Sequence, residues 1–242
     1  MGIYGTYLKR AFDVSLAICM LIALAPLFIV IALRIRKEDG GAVFYRGVRV
    51  GQNGRPFKIY KFRTMVINAE EPGGSSTSDS DTRITEFGMF LRKYKLDELP
   101  QLINVILGEM SFVGPRPEVA EYVEMFTGDE TKILTVKPGI TDWASIWNPD
   151  EGAFLSTFPD PDKAYLEIIR PKKLELQKKY VDKICFLTDV RILFLPLSYQ
   201  QAFLILLIPI LINHFLFQLQ DFIFRSIFNL LGRCSNINTP RV

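Results

Sequence analysis

The run from Val14 to Ile35 holds about 22 residues and is nearly free of charge, long enough as a helix to cross about 30 Å of hydrocarbon. In lipid every backbone donor and acceptor must find a partner inside the segment, so such a run has little choice beyond a helix. Pro26 stands at its middle. A proline there removes one backbone donor and pushes Ala25 away from helical geometry, which predicts a break at Ala25 and Pro26. Cations flank both ends, Lys9 and Arg10 before and Arg34, Arg36 and Lys37 after. The excess of basic residues therefore chooses no direction. A helix that enters, breaks and returns to the same face satisfies both basic ends; the competing arrangement is a kinked helix that spans, since spanning helices tolerate proline. A cleaved signal peptide does not fit, because the run continues past Pro26 and ends in basic residues without a small-residue cleavage site.

The chemistry concentrates between Arg92 and Glu118, RKYKLDELPQLINVILGEMSFVGPRPE. Leu99, Leu102, Ile103, Ile106 and Leu107 recur with the period of one buried helical face, with Pro100 in the first turn and Gly108 just past the end. Asp97 is then expected to be the N-cap, its charged form favoured and its pKa lowered by free backbone N–H groups. Taken alone, this pair of acids is a cap followed by a first-turn glutamate. The surroundings add Arg92, Lys93 and Lys95 before the carboxylates and, beyond the helix, Arg116 held between two stiff prolines. Such an arginine suits bidentate phosphate binding, and paired acids among cations suit metal-assisted attack on a phosphoanhydride.

The stretch DTRITEFGMFLRKYKLDELPQLINVILGEMSFVGPRPE resembles, almost residue for residue, the bacterial sugar transferases called monotopic phosphoglycosyl transferases. FYRGVRVGQNGRPFKIYKFRTM and VKPGITDWASIWN are similar to the same family in the same order, so the resemblance covers roughly Lys9 to Phe194. It implies transfer of a phospho-sugar from a UDP-sugar to polyprenyl (undecaprenyl) phosphate at the cytoplasmic face of the inner membrane. It also implies Asp97 as nucleophile, Glu98 as its dyad partner, magnesium (Mg2+) near Asp97, and a re-entrant first helix. The expected path has Asp97 carry the phospho-sugar as a covalent ester while UMP leaves. The chain departs from the family pattern at Ala25, where a Ser often precedes the proline. It departs again at Asp142, Ser145 and Asn148-Pro149-Asp150, where no Arg follows the Asn.

Between these landmarks, Ala42 to Met65 alternates as short strands around a Gly51 to Gly54 turn, which predicts a hairpin. Its outer positions offer Lys58, Lys61 and Arg63. Lys61 and Arg63 join Arg92 and Arg116 as candidate phosphate ligands, although a solvated strand face would carry the same residues. Glu70 to Thr82 reads as a polar connecting loop. Its Asp79-Ser80-Asp81 is a D-x-D and supplies an alternative, a metal-dependent glycosyltransferase of another mechanistic class, but no Rossmann-like run precedes it. A third reading is a non-catalytic membrane adaptor, which would tolerate loss of Asp97. Val119 to Phe126 predicts a packing helix, Trp143 and Trp147 fall i, i+4 as core side chains, and Ala164 to Lys183 predicts an amphipathic surface helix interrupted at Pro171.

The expected architecture is α+β and monotopic: a membrane helix over 1–38, a catalytic domain over 39–194, and a hydrophobic membrane-associated tail over 195–242. The tail's apolar run, Ala202 to Phe217, is short for a span and broken by Pro209. Composition restricts the chemistry further. Apolar residues make up 49% of the chain, which leans toward membrane association. The net charge of +3 is spread rather than blocked, so nucleic acid is not indicated as a partner. Cys19, Cys185 and Cys234 form no CxxC, and His214 is the single histidine; a zinc site, a His cluster and a Ser-His-Asp triad are disfavoured. The partners expected are the UDP-sugar, the polyprenyl phosphate and the membrane, with a homodimer left open.

Overall fold

The structure is a computed structural model that describes residues 4, 8–67 and 81–194. Residues 1–197 form one compact unit and 198–242 a second; the second, with the tail segments discussed above, lies outside the described residues, as does most of the Glu70 to Thr82 loop.

Helix α1, Lys9–Asp39, continues unbroken through Ala25 and Pro26. The expected interruption is therefore not a gap in helical backbone: proline deletes one donor, and the turns on either side continue. The helix is long and apolar enough to cross a membrane. Ala17, Leu24, Ile31 and Ile35 are buried, whereas Ile18, Ile22, Ile29 and Leu33 are exposed along another face.

Both ends of α1 are fastened to the rest of the unit. Near its start, Lys9 Nζ meets Asp189 Oδ2 at 2.5 Å, the Arg10 guanidinium donates to the carbonyls of Val105 and Ile106 at 2.5 and 3.0 Å, and Ser111 Oγ donates to Asp13 at 2.7 Å. Toward its end, Phe28 packs edge-on against Phe62 with ring centroids 5.1 Å apart, Arg34 lies over Phe87, and Asp39 is gripped by two nitrogens of Arg63.

The predicted hairpin forms as two consecutive antiparallel ribbons. Strand β1 (Phe44–Tyr45) pairs with β4 (Lys61–Phe62), and β2 (Val48–Val50) with β3 (Pro56–Lys58). Phe57, Ile59 and Phe62 are buried; within β4, strand alternation leaves Lys61 on the opposite face from Phe62. Helix α2 (Glu86–Lys93) follows, opened by Thr85, whose hydroxyl accepts from the Gly88 N–H. Helix α3 (Gln101–Leu107) ends at Gly108 in the left-handed conformation, as predicted.

A parallel pair, β5 (Ser111–Val113) and β6 (Gly139–Thr141), aligns Ser111 with Gly139 and Val113 with Thr141. Just beyond β5, a Cβ on Gly139 would fall 2.1 Å from Gly114 N, and one on Gly114 would fall 2.5 Å from Lys137 O. Only glycines let the chain that carries Pro115, Arg116 and Pro117 lie this close to β6.

Among the described residues there follow α4 (Ala120–Glu124), a 3-10 stretch over Gly128–Thr135, α5 (Trp143–Trp147), α6 (Glu151–Leu155), α7 (Pro161–Ala164) and α8 (Arg170–Asp182), the last two joined by a π-helical turn over Tyr165–Ile169. Helix α9 (Phe186–Phe194) ends the described chain. One expectation is corrected here: Trp147 is 45% exposed and Trp143 only partly covered, so the tryptophans are not core. The Ala164 to Lys183 stretch is amphipathic as expected: Ile169, Leu174 and Tyr180 are buried, together with Lys173 and Gln177, while Glu167, Lys172, Glu175 and Lys179 are exposed. Tyr165 and Ile169 belong to a buried cluster with Tyr122, Leu155 and Ala164.

Candidate active site

Asp97 and Glu98 occupy a short 3-10 turn, Leu96–Glu98, between α2 and α3. Lys95, with φ of 55°, turns the chain into it. Pro100 has no N–H to extend the hydrogen-bond ladder back through the turn, so α3 begins at Gln101 with Pro100 as its cap and no capping side chain. Asp97 is thus not the predicted N-cap. Its side chain is buried, at 8% exposure, and among the described residues no hydrogen bond or ion pair engages its carboxylate. The expected direction of its pKa is reversed as well. Burial raises it and the neighbouring Glu98 charge adds to the rise, while Lys61, Arg92 and Lys95 oppose it.

Glu98 behaves in the opposite way. Its Oε1 accepts from Lys61 Nζ at 2.9 Å and from the Arg116 guanidinium. Against burial, which alone would raise it, Arg116 and Lys61 hold the Glu98 carboxyl well below the usual range. The two carboxylates therefore divide into one without a partner and one fixed between two cations, the separation of environments that gives acid pairs distinct roles.

The hairpin brings Lys61 here through Asn104, a side chain that sequence periodicity misses. The buried face of α3 is Gln101, Leu102, Asn104 and Val105, whereas Leu107 of the predicted stripe is 59% exposed. Asn104 Oδ1 accepts from the Tyr60 N–H at 2.8 Å, and its Nδ2 donates to Lys58 O at 2.9 Å and to Glu109 at 2.7 Å. The side-chain amide thus ties α3 to the chain between β3 and β4, one residue before Lys61.

Arg116 is placed from the other side. Its backbone N–H donates to Asp142 Oδ2 at 3.3 Å and its guanidinium to Ile140 O at 3.2 Å. Asp142 is fully buried; its Oδ1 caps α5 by accepting from Ser145 N–H at 2.7 Å, and its Oδ2 accepts from Gln177 of α8 at 3.1 Å. The departures at positions 142 and 145 thus form one network behind Arg116.

Lys61 and Arg116 open on a cleft of about 240 Å³ whose wall also carries Arg49, Gln101, Glu118 and Lys173. Val50 N–H donates to Glu118 O at 2.9 Å, which sets β2 against this wall. Glu118 accepts from Tyr165 Oη at 3.0 Å and pairs with Lys173 Nζ at 2.8 Å. Against its burial, the Lys173 charge lowers the Glu118 pKa. Lys173, Tyr165 and Arg49 could not be singled out from sequence, because the elements that carry them are distant along the chain.

Of the predicted phosphate ligands, Lys61 and Arg116 meet at this cleft. Arg92 donates to Thr64 Oγ1 at 2.9 Å and acts on Asp97 through its charge. Arg63 does not belong to the site: its guanidinium is taken up by Asp39, Ala42 O at 2.6 Å and Met65 O at 3.1 Å. Of the D-x-D, Asp79 and Ser80 lie outside the described residues, and Asp81 pairs with Arg83 at 2.6 Å.

A family model described as Bacterial sugar transferase matches residues 4–200. The chain is 37% identical over 186 residues to the uncharacterized sugar transferase EpsL of Bacillus subtilis, covering 77% of this chain and 83% of that protein. It is 43% identical over 152 residues to the exopolysaccharide production protein ExoY of Sinorhizobium fredii, covering 57% and 67%. To the UDP-glucose:undecaprenyl-phosphate glucose-1-phosphate transferase of Escherichia coli it is 36% identical over 193 residues, 78% of this chain but only 39% of the longer relative.

Proposed function

Because the chain belongs to the bacterial sugar transferase family, we propose that it moves a sugar phosphate from a UDP-sugar to undecaprenyl phosphate, releases UMP, and so begins the assembly of a polysaccharide or related glycoconjugate. Relatives named as undecaprenyl-phosphate sugar phosphotransferases support these substrate classes. The observation that carries the reading is the division of the dyad: a buried Asp97 with its carboxylate unpaired, beside a Glu98 that fixes Lys61 and Arg116 at the edge of a cationic cleft.

In this reading the Asp97 carboxylate attacks the phosphorus that bears the sugar. A bond forms from Oδ to phosphorus, the bond to the UMP oxygen breaks, and UMP departs with the electron pair. An oxygen of undecaprenyl phosphate then attacks the same phosphorus and Asp97 leaves as a free carboxylate. Lys61 and Arg116 hold non-bridging oxygens and neutralise charge as the diphosphate breaks. Glu98 positions these two cations rather than reacting.

Among the described residues no group of three or more His, Cys, Asp or Glu could hold a metal. Magnesium nonetheless fits, since it is commonly held by one or two carboxylates together with substrate phosphates and waters, and Asp97 is the carboxylate left unpaired. When bound it would supply charge neutralisation at the diphosphate.

The same reading makes the enzyme monotopic, at the cytoplasmic face of the inner membrane. What supports this is the attachment of both ends of α1 to one compact unit, through Lys9 and Arg10 at one end and Asp39 at the other. A helix that crossed the bilayer would have about 30 Å of its length among lipid, whereas α1 touches the unit along its length, through Asp13 to Ser111 and Phe28 to Phe62 as well as at its ends. Ile18, Ile22, Ile29 and Leu33 are the face offered to lipid.

The decisive test is exchange without lipid. Enzyme, magnesium, UDP-sugar and labelled UMP should yield labelled UDP-sugar, and Asp97→Asn should abolish the label. Normal turnover with undecaprenyl phosphate but no exchange would replace the two-step path with direct displacement; turnover retained in Asp97→Asn would remove Asp97 from the chemistry.

A further inference from the structure

Gln101 is the first residue of α3, four positions after Asp97, and lines the cleft beside Lys61 and Arg116. It is 1% exposed, and its Nε2 is a buried donor with no acceptor. An unmet buried donor costs stability, because the group has given up water and received nothing in return. Asn104, on the same buried face, uses both its amide atoms; Gln101 does not. Lys61 and Arg116 on this wall are themselves donors whose shared acceptor is Glu98, and the wall's Glu118 is engaged by Tyr165 and Lys173. No acceptor of the wall meets Gln101 Nε2, and a ligand rich in acceptors would supply one.

We propose that Gln101 Nε2 donates a hydrogen bond to a non-bridging oxygen of the donor's diphosphate, which makes Gln101 a substrate-contact residue. The inference rests on the function proposed above. It adds a neutral donor to the two cations: Lys61 and Arg116 neutralise charge, while Gln101 fixes the oxygen's direction from a side chain whose desolvation is already complete in the free enzyme.

The probe is UDP, bound to the full chain in detergent with magnesium and followed by calorimetry beside thermal unfolding. Gln101→Met keeps the length of the side chain and removes the donor. Its melting temperature should equal or exceed the wild-type value, while UDP affinity falls about tenfold. Gln101→Glu keeps the shape, sets a carboxylate against the phosphate, and should weaken UDP further; it also carries the test should the Met variant not fold. Wild-type UDP affinity in both variants would overturn the proposal and leave Gln101 a packing residue. Unchanged UDP affinity with weakened UDP-sugar binding would move the contact to a sugar hydroxyl and equally overturn it. A wild-type protein that does not bind UDP at all would overturn the function itself, and this contact with it.

Discussion

Glu98→Gln separates what the second acid does from what the first does. Glu98 is 15% exposed and its partners Lys61 and Arg116 are 24% and 32% exposed. Breaking a fully buried pair costs about 3–5 kcal/mol and an exposed one at most about 1. The partial exposure here, and the hydrogen bonds a neutral Gln oxygen can still accept, put the loss at about 2–3 kcal/mol. For a chain of this size that is a melting temperature lower by about 4–12 °C. The charge change also reaches Asp97. Its pKa is raised first by burial and then by Glu98, so removing the Glu98 charge lowers it, and the ionised carboxylate persists to lower pH. The acid limb of the UMP exchange rate should therefore move down in pH while the maximal rate falls. Thermal unfolding and a pH–rate profile of the same preparation read both effects. An unchanged melting temperature with the acid limb unmoved or shifted upward would refute the assignment of Glu98 as the shared partner of Lys61 and Arg116.

Arg116→Lys keeps the charge but not the planar fork, and exchange should fall at least about tenfold, measured as kcat/KM for UDP-sugar; wild-type kinetics would reduce Arg116 to a turn residue. Arg63→Met should leave the KM for UDP-sugar unchanged while lowering stability by about 1–3 kcal/mol through loss of the Asp39 pair. Arg63 holds the Asp39 pKa down to about 2, so this pair's contribution is present above the ordinary aspartate pKa and is lost as pH falls from there toward 2; denaturant melts at two pH values check the sign. Asn104→Leu removes three hydrogen bonds and leaves the Tyr60 N–H and Lys58 carbonyl unmet, an expected loss of about 2–4 kcal/mol with weaker exchange as Lys61 is released, both visible in one purified variant.

Much of the local structure was legible because its signals are local. The hairpin around Gly51 to Gly54, the end of α3 at Gly108 and the stiff turn holding Arg116 are each written in a few adjacent residues. What was not legible depends on partners far along the chain. Arg63 looked like a free strand cation, but its partner Asp39 lies 24 positions earlier. Lys173 is one of several lysines in its stretch of sequence, and only Glu118, far earlier in the chain, and Tyr165 single it out by drawing it inside. The cap assigned to Asp97 failed because Pro100 delays α3 and leaves the dyad in a turn of its own. Apolar periodicity assigned the inward face of α3 to its leucines and isoleucines, whereas Asn104 shares that face because its amide joins Tyr60, Lys58 and Glu109, as no hydrocarbon could.

Arg10 joins the long first helix to the last carbonyls of α3, the helix that begins just after the dyad. On the function proposed above, anchor and reaction centre would share a rivet. A tilt of α1 imposed by a thinner or stiffer bilayer would turn α3 with it and change the angle at which Asp97 meets its phosphorus. Lipid thickness would then be an input to turnover, and a detergent chosen only for solubility would reset it.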